Sequence, residues 1–261
     1  MAPGSERGLL IEERRRRICE LLRAEGRVTV DALAARFGTS QVTIRADLSM
    51  LESAGALTRT HGGALNVPDT DQPLDVKQLQ HRAEKLRIAE AAARLIRDGE
   101  TIVLDSGTTT AEIARRIRTL ELSSVNVITN ALNIAALLID LPSVRLIMPG
   151  GILRRESNSL SGHMAEAALA NLQADRLYLG ADGVDPQIGV MTPHLLEAQL
   201  NAKMIHISRQ VVVVADSSKF MRRNISMIAR VEQIHMLITD RAAPAEAVEE
   251  LRQRGVEVRL V

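Results

Sequence analysis

Apolar positions between residues 28 and 65 fall into two helical stretches followed by a short alternating one. Asp31 is placed to cap a short helix running to Phe37, Gly38 to end it in the left-handed conformation, and Ser40 to cap a second helix over residues 41–54. At about 100° per residue, Ile44, Leu48 and Leu51 share one face of that second helix, while Val42, Arg45, Ala46 and Ser49 occupy the other. Residues 57–60, the glycine turn at 61–63 and residues 64–65 then read as strand, turn and return strand. The pattern is a winged helix-turn-helix, with Arg59 and His61 at or near the wing tip.

An earlier helix over residues 11–24 turns Ile18, Leu21 and Leu22 inward and is closed by Gly26. Its Arg14 to Arg17 run is either a solvated face or part of a phosphate-facing surface. Residues 66–75, NVPDTDQPLD, show no apolar period and two prolines, which marks a linker between a domain over 1–65 and another over 76–261. Residues 76–97 then read as one long helix packing through Leu79, Leu86, Ile88, Ala89, Ala92 and Ile96.

Beyond it the pattern alternates. Valine-, isoleucine- and leucine-rich runs stand at 101–104, 125–128, 145–148, 176–179, 211–215, 236–239 and 256–260, with helical stretches at 109–117, 131–140, 164–171, 195–208 and 244–254. Strands this apolar, separated by helices, belong to a mostly parallel sheet covered on both faces. The fold class is therefore α/β: a winged helix-turn-helix followed by a larger doubly wound domain.

Composition narrows the function. The 261 residues carry a net charge of +1, and the first 65 hold ten arginines, no lysine and eight acidic residues, so charge by itself does not single out nucleic acid. One tyrosine, two phenylalanines and no tryptophan leave no aromatic platform for single strands, which makes duplex DNA the better partner. The single cysteine, Cys19, excludes an intrachain disulfide and any multi-cysteine zinc site, and points to a reducing cytoplasm. No apolar run approaches the ~20 residues that span a bilayer, and the first ten residues do not read as a signal peptide, so no membrane association is expected. The six histidines are scattered, without the spacing of a metal site.

In doubly wound sheets, ligands collect beyond the carboxyl ends of the strands. Asp105, Ser106, Gly107, Thr108, Thr109 and Thr110 directly follow the first strand and open a helix. A glycine for close approach, exposed amides and hydroxyl donors make this loop a phosphate cradle, with simple helix capping as the plain alternative. It is neither a Walker loop nor a GxGxxG fingerprint. Thr129-Asn130, Pro149-Gly150-Gly151 and the Gly180 to Gly183 loop with Asp182 follow successive strands and share the rim. Later, Asp216 is a candidate for a sugar hydroxyl and Lys219 for an anion. Lys85, Arg154 and Arg155 are each either solvated charges or ligand contacts.

Two sets of motifs resemble one family. Val42-Thr43-Ile44-Arg45-Ala46-Asp47-Leu48, Leu51-Glu52, Gly55 and Arg59-Thr60-His61-Gly62-Gly63-Ala64 resemble the DNA-binding signature of the DeoR (GlpR-like) bacterial repressors. DSGTTT at 105–110, Thr129-Asn130, Gly150-Gly151, Ser161-Gly162, Gly180, Gly189 and DSSKF at 216–220 resemble that family's effector domain, and residues 192–220 its AgaR-like branch, associated with amino-sugar catabolism. One departure is Ala46, where the family usually has a second arginine. The resemblance implies an effector fold similar to ribose-5-phosphate isomerase and glucosamine-6-phosphate deaminase. It also implies a phosphorylated sugar on the rim, dimers or tetramers on paired operator half-sites, and no cofactor. Ser40, Gln41, Val42, Thr43, Arg45, Arg59 and His61 are then the DNA-facing set. The alternative is a sugar-phosphate isomerase or deaminase with an appended DNA-binding domain, because Gly180-Ala181-Asp182-Gly183-Val184-Asp185 is similar to the acidic loop of ribose-5-phosphate isomerases. Against it, Ile152-Leu153-Arg154-Arg155-Glu156 stands where those isomerases carry a lysine- and glycine-rich loop.

Overall fold

The computed structural model describes residues 9–53, 57–60, 62–66 and 74–261, and the chain forms two compact units, Met1–Lys77 and Gln78–Val261. In the first unit, helix α1 (Ile11–Glu25) ends on Gly26, whose φ of 73° lets its amide reach back to the Leu22 carbonyl. Strand β1 (Arg27–Thr29) leads into α2 (Val30–Phe37) and, past left-handed Gly38, into α3 (Gln41–Ser53). Strands β2 (Leu57–Thr60) and β3 (Gly63–Asn66) form the wing hairpin, and β1 adds to its free edge in the order β1-β3-β2. That third strand explains Gly63: a Cβ there would stand 2.0 Å from the Val28 carbonyl oxygen. Ile18, Leu22, Leu33, Phe37, Ile44 and Leu48 close the core, at 2 % exposure or less.

Two expectations change here. The cap of α2 is Thr29, whose Oγ1 accepts from the Ala32 amide at 3.2 Å, not Asp31. Asp31 lies inside the first turn, where the helix dipole still favours its charge, and it accepts from Gln41 Nε2 at 2.6 Å. The single helix over 76–97 is two, α4 (Leu74–Leu79) and α5 (Arg82–Ala93), broken at His81, which takes a left-handed φ of 50°. Of the linker residues, Asn66 belongs to β3, Leu74 and Asp75 to α4, and 67–73 lie outside the described residues.

The second unit opens β4 (Thr101–Leu104), α6 (Thr108–Ile117), β5 (Val125–Thr129), α7 (Leu132–Leu138), β6 (Val144–Ile147). A hairpin of β7 (Ile152–Arg154) and β8 (Ser159–Ser161) precedes α8 (His163–Leu169) and β9 (Ala174–Leu179). Then come β10 (Gly183–Asp185), β11 (Gly189–Thr192), α9 (Leu195–His206), β12 (Ser208–Val214) and β13 (Ser226–Arg230). The chain closes with β14 (Met236–Thr239), α10 (Ala245–Gln253) and β15 (Glu257–Leu260). Seven strands pair in parallel in the order β15-β14-β12-β9-β4-β5-β6, and these are the seven runs read from the sequence.

Alternation along β4 shows how the sheet is covered. Ile102 and Leu104 join one core with Ile88 of α5, Ile113 of α6 and Ile134 of α7, while Val103 joins the opposite core with Leu169 of α8, Leu200 of α9 and Val248 of α10. Period-2 side chains on a strand buried on both faces leave no polar side, hence the apolar runs. β10, β11 and β13 form a separate antiparallel sheet, and β7 with β8 another; neither was expected.

Candidate functional site

In the first unit, α3 is held from below and open above. Asp47, 2 % exposed, accepts from Arg14 Nε at 2.6 Å and from Arg15 Nε at 2.9 Å, tying α1 to α3. Of the arginine run, Arg17 is bonded to Glu20 at 2.6 Å and Arg16 is exposed. Three of its four cations therefore have intrahelical or interhelical carboxylate partners, and the run is mainly structural. Asp47 was missed as a clamp because its partners lie 32 and 33 residues away.

On the open side, Ser40 Oγ accepts from the Thr43 amide at 3.1 Å, as the sequence suggested. Gln41, Val42 and Arg45 are exposed and Thr43 is half-buried, which puts those four on one accessible end of the helix. Arg45 Nη2 rests on Gln41 Oε1 at 3.3 Å, a contact between two exposed side chains and easily exchanged. Arg59 pairs with Ala64, one step below the last pair of the wing, Thr60 with Gly63. Its guanidinium lies back on Ser49 Oγ at 2.9 Å and its amide on Glu52 Oε1 at 3.1 Å, so it flanks α3 rather than crowning the wing. His61 lies outside the described residues.

In the second unit, strand order decides where a ligand belongs. From β4 the chain winds outward through β5 to β6, then returns to β9 on the other side of β4 and winds through β12, β14 and β15. The direction reverses between β4 and β9, and the crevice beyond their carboxyl ends is the natural binding place. Asp105 follows β4 directly and joins the two loops there. Its Oδ2 accepts from the Gly180 amide at 2.8 Å, and its Oδ1 from the Gly107 amide at 3.0 Å and Thr110 Oγ1 at 2.8 Å. Burial pushes its carboxyl up to about 6, against those three donors, and the nearby charge of Glu197 adds to the rise. The loops approach so closely that a Cβ on Gly180 would stand 3.5 Å from Gly107 Cα and 3.2 Å from Asp105 Oδ2.

The six cradle residues therefore divide. Asp105, Thr109 and Thr110 are buried, with Asp105 and Thr110 bonded to one another; Ser106, Gly107 and Thr108 are half-exposed at the start of α6. The first amides of a helix have no partner within it; the Gly107 amide is taken by Asp105 Oδ1, so an anion would meet the Thr108 amide and the Ser106 and Thr108 hydroxyls. Thr129 and Asn130, after β5, are both buried: Thr129 Oγ1 accepts from the Ala131 amide at 3.2 Å, and Asn130 Nδ2 donates to the Leu160 carbonyl at 3.0 Å. Gly150 and Gly151, after β6, take φ of 74° and 117°, and a Cβ on Gly151 would stand 2.6 Å from the Ser161 carbonyl oxygen. Asp182 Oδ2 accepts from Thr192 Oγ1 at 3.0 Å. Lys219 is half-buried in a single 3-10 turn after β12, which Asp216 caps through the Ser218 amide and Asp240 braces through the Ser217 amide. Lys85 is buried within α5.

These residues do not form one compact cluster. From β6 to β12 is four strand spacings, roughly 19 Å at ~4.8 Å each, longer than a single sugar phosphate. The middle of the rim, over β5, β4 and β9, is the part that one ligand would span. Sequence reasoning left Arg154 open and missed Glu197 and His194. Arg154 Nη1 donates to Glu197 Oε1 at 2.8 Å, and its Nη2 donates to His194 Nε2 at 2.8 Å, which carries the β7–β8 hairpin to the start of α9. Among the described residues no cluster of three His, Cys, Asp or Glu side chains is arranged to hold a metal ion, and no helix is long and apolar enough to cross a membrane.

The family model described as the DeoR-like helix-turn-helix domain matches residues 14–69, and that described as the DeoR C terminal sensor domain matches 80–241. The putative aga operon transcriptional repressor of Escherichia coli O157:H7 is 42% identical over 264 residues, covering 100% of this chain and 97% of that protein. The HTH-type transcriptional regulator GlpR of Haloferax volcanii is 34% identical, covering 96% and 98%. Among solved structures, ribose 5-phosphate isomerase A of Methanocaldococcus jannaschii aligns with a TM-score of 0.41 at 23% identity, over 54% of this chain and 56% of that one.

Proposed function

This chain belongs to the DeoR family of transcriptional regulators, and from that premise we propose that it represses a sugar or amino-sugar catabolic operon under the control of a phosphorylated sugar. Helix α3 enters the major groove with Gln41, Val42, Thr43 and Arg45 toward base edges, Ser40 at its start and Arg59 beside it toward the backbone. Two or four copies engage paired half-sites. The effector binds beyond β4 and β9, its phosphate on the Thr108 amide and the Ser106 and Thr108 hydroxyls, the Gly107 amide being held by Asp105. Relatives that match this chain from end to end carry the names of regulators, which supports a non-enzymatic role.

The observation that carries the reading is the Asp105 staple. A buried carboxylate accepting from Gly107, Gly180 and Thr110 fixes the loops on both sides of the switch point while leaving the Ser106 to Thr108 segment accessible. A ligand preferring one of two repressor conformations shifts their populations by its difference in affinity.

The test is a thermal-shift screen of the whole chain against phosphorylated sugars, repeated on Thr108→Val, with binding measured on duplexes selected by the protein from a random pool. A ligand at 100 times its Kd adds about 2.7 kcal/mol to stability. The wild type should be stabilised by at least one sugar phosphate and change its DNA affinity in response, and the variant should bind DNA but lose both responses. A variant that responds normally removes the phosphate from this loop.

A further inference from the structure

A circuit of side chains runs from the loop after β9 through the end of β11 and the start of α9 to the β7–β8 hairpin. Asp182 Oδ2 accepts from Thr192 Oγ1 at 3.0 Å, and Thr192 Oγ1 accepts from the His194 amide at 3.4 Å. His194 Nε2 accepts from Arg154 Nη2, and Arg154 Nη1 donates to Glu197 Oε1, each at 2.8 Å. The carboxylate of Glu197 is near enough to Asp105 to act on its charge, and Asp105 holds the Gly180 amide at 2.8 Å, two residues before Asp182. Five segments distant in sequence thus meet at one place: the loops after β4 and β9, the end of β11, the start of α9 and the β7–β8 hairpin.

The chemistry of this circuit is opposite to that of an anion cradle. Its one guanidinium, Arg154, lies between the carboxylates of Glu197 at 2.8 Å and Glu156 at 3.7 Å, and Asp182 adds a further carboxylate to the circuit, so it offers mainly acceptors. A further acceptor lies on the same rim: Asn130 is 1 % exposed, and its Oδ1 has no hydrogen-bond partner among the described residues. Its Nδ2 is committed to the Leu160 carbonyl of β8, so turning the amide over would exchange one unmet group for another. Arg154 and Glu197 are largely sheltered, with side chains 23% and 13% exposed, which makes their pairing a fixed feature rather than a surface contact.

We propose that Glu197, with Arg154 and Asp182, recognises the hydroxyl-bearing end of a sugar phosphate. The two carboxylates accept from sugar hydroxyls, and Arg154 donates to a ring or carbonyl oxygen while keeping Glu197 in place. The inference rests on the reading that the α6 amides hold the phosphate, and it assigns a separate task, discrimination among sugars, to a separate group of residues. A site built to bond a hydroxyl rejects a ligand lacking it, because its buried polar groups are then left unpaired.

The experiment titrates the full chain with inorganic phosphate, ribose 5-phosphate, glucose 6-phosphate and glucosamine 6-phosphate by calorimetry, for the wild type, Glu197→Gln, Arg154→Ala and Arg154→Lys. Glu197→Gln keeps the shape of the side chain and removes the charge. The expected result is a wild type that binds at least one sugar phosphate tenfold or more tighter than inorganic phosphate. In Glu197→Gln and Arg154→Ala that ratio falls about tenfold while affinity for inorganic phosphate stays, and Arg154→Lys restores part of it. If Arg154 and Glu197 only tie down the hairpin, both affinities fall together and the ratio survives; that outcome overturns the inference and leaves the phosphate reading standing. A wild type that prefers no sugar phosphate over inorganic phosphate also overturns it, and one that binds neither removes the phosphate reading as well.

Discussion

Asp105 is the residue whose behaviour is most at odds with its type. An ordinary aspartate carboxyl is ionised above 3.8, but burial raises this one to about 6 even with three donors aimed at it. In the folded chain it therefore holds a proton over a range where the unfolded chain does not. Its contribution to stability is full below the unfolded value and is lost as pH rises through about 6. Urea unfolding of the wild type should accordingly lose stability relative to Asp105→Asn between about pH 4 and pH 7, and parallel profiles would place the titration elsewhere. The Asp105→Asn side chain has a single acceptor oxygen for the donors of Gly107, Gly180 and Thr110, so the variant should be the less stable protein at low pH. The DSGTTT loop could be read as an anion cradle from its residue types, but the division of labour within it could not. Asp105 is set by an amide 75 residues away, just past β9, and Thr109 and Thr110 are turned inward by the pitch of α6. Arg45 is the contrasting case: its exposure on the open face of α3 was legible from the helical period alone. Arg45→Ala should weaken operator binding by on the order of 1 to 3 kcal/mol in a fluorescence-anisotropy titration, with sugar-phosphate stabilisation unchanged. An unaltered operator affinity would return Arg45 to the solvated surface.

Among the elements, α3 depends most on a partner that helical periodicity does not show. Its apolar face packs through Ile44 and Leu48, but its angle to α1 is also set by buried Asp47 between Arg14 and Arg15. Removing one member of a buried ion pair leaves the other uncompensated, at a cost of about 3 to 5 kcal/mol. Asp47→Ala should destabilise the first unit to urea by that amount and, with α3 displaced, abolish operator binding; a change below about 1 kcal/mol would mean that α1 and α3 are held by their apolar contacts alone. The seven parallel strands were legible because each is buried on both faces and so is apolar at almost every position. The β7–β8 hairpin and the β10, β11, β13 sheet were not, since strands of three to five residues with serine, arginine, aspartate and glycine carry no periodic signal. β1 was hidden for a related reason: three residues joined to α2 become a strand only by pairing with β3, across a glycine that admits the Val28 carbonyl. The break at His81 left no trace either, because Leu79 and Leu86 keep a plausible helical period on both sides of a residue that is neither glycine nor proline.

At the scale of the whole molecule, the proposed function requires two units in a single chain to share one free energy. Binding free energies form a closed cycle, so if a sugar phosphate lowers operator affinity by some factor, bound operator must lower sugar-phosphate affinity by the same factor. A coupling of ~1 to 3 kcal/mol corresponds to about 5- to 150-fold in each direction. Calorimetric titration of the effective sugar phosphate into the free protein and into the protein saturated with operator should therefore give dissociation constants whose ratio equals the ratio of operator affinities measured with and without that ligand. Thr108→Val should leave only a weak residual affinity for the ligand, whereas Arg45→Ala should leave the ligand's affinity for free protein intact, since each acts on one unit. A ligand that instead competed with DNA for the first unit would weaken operator binding without a plateau as its concentration rises and would not bind the operator-saturated protein, and the crevice between β4 and β9 would then not govern α3.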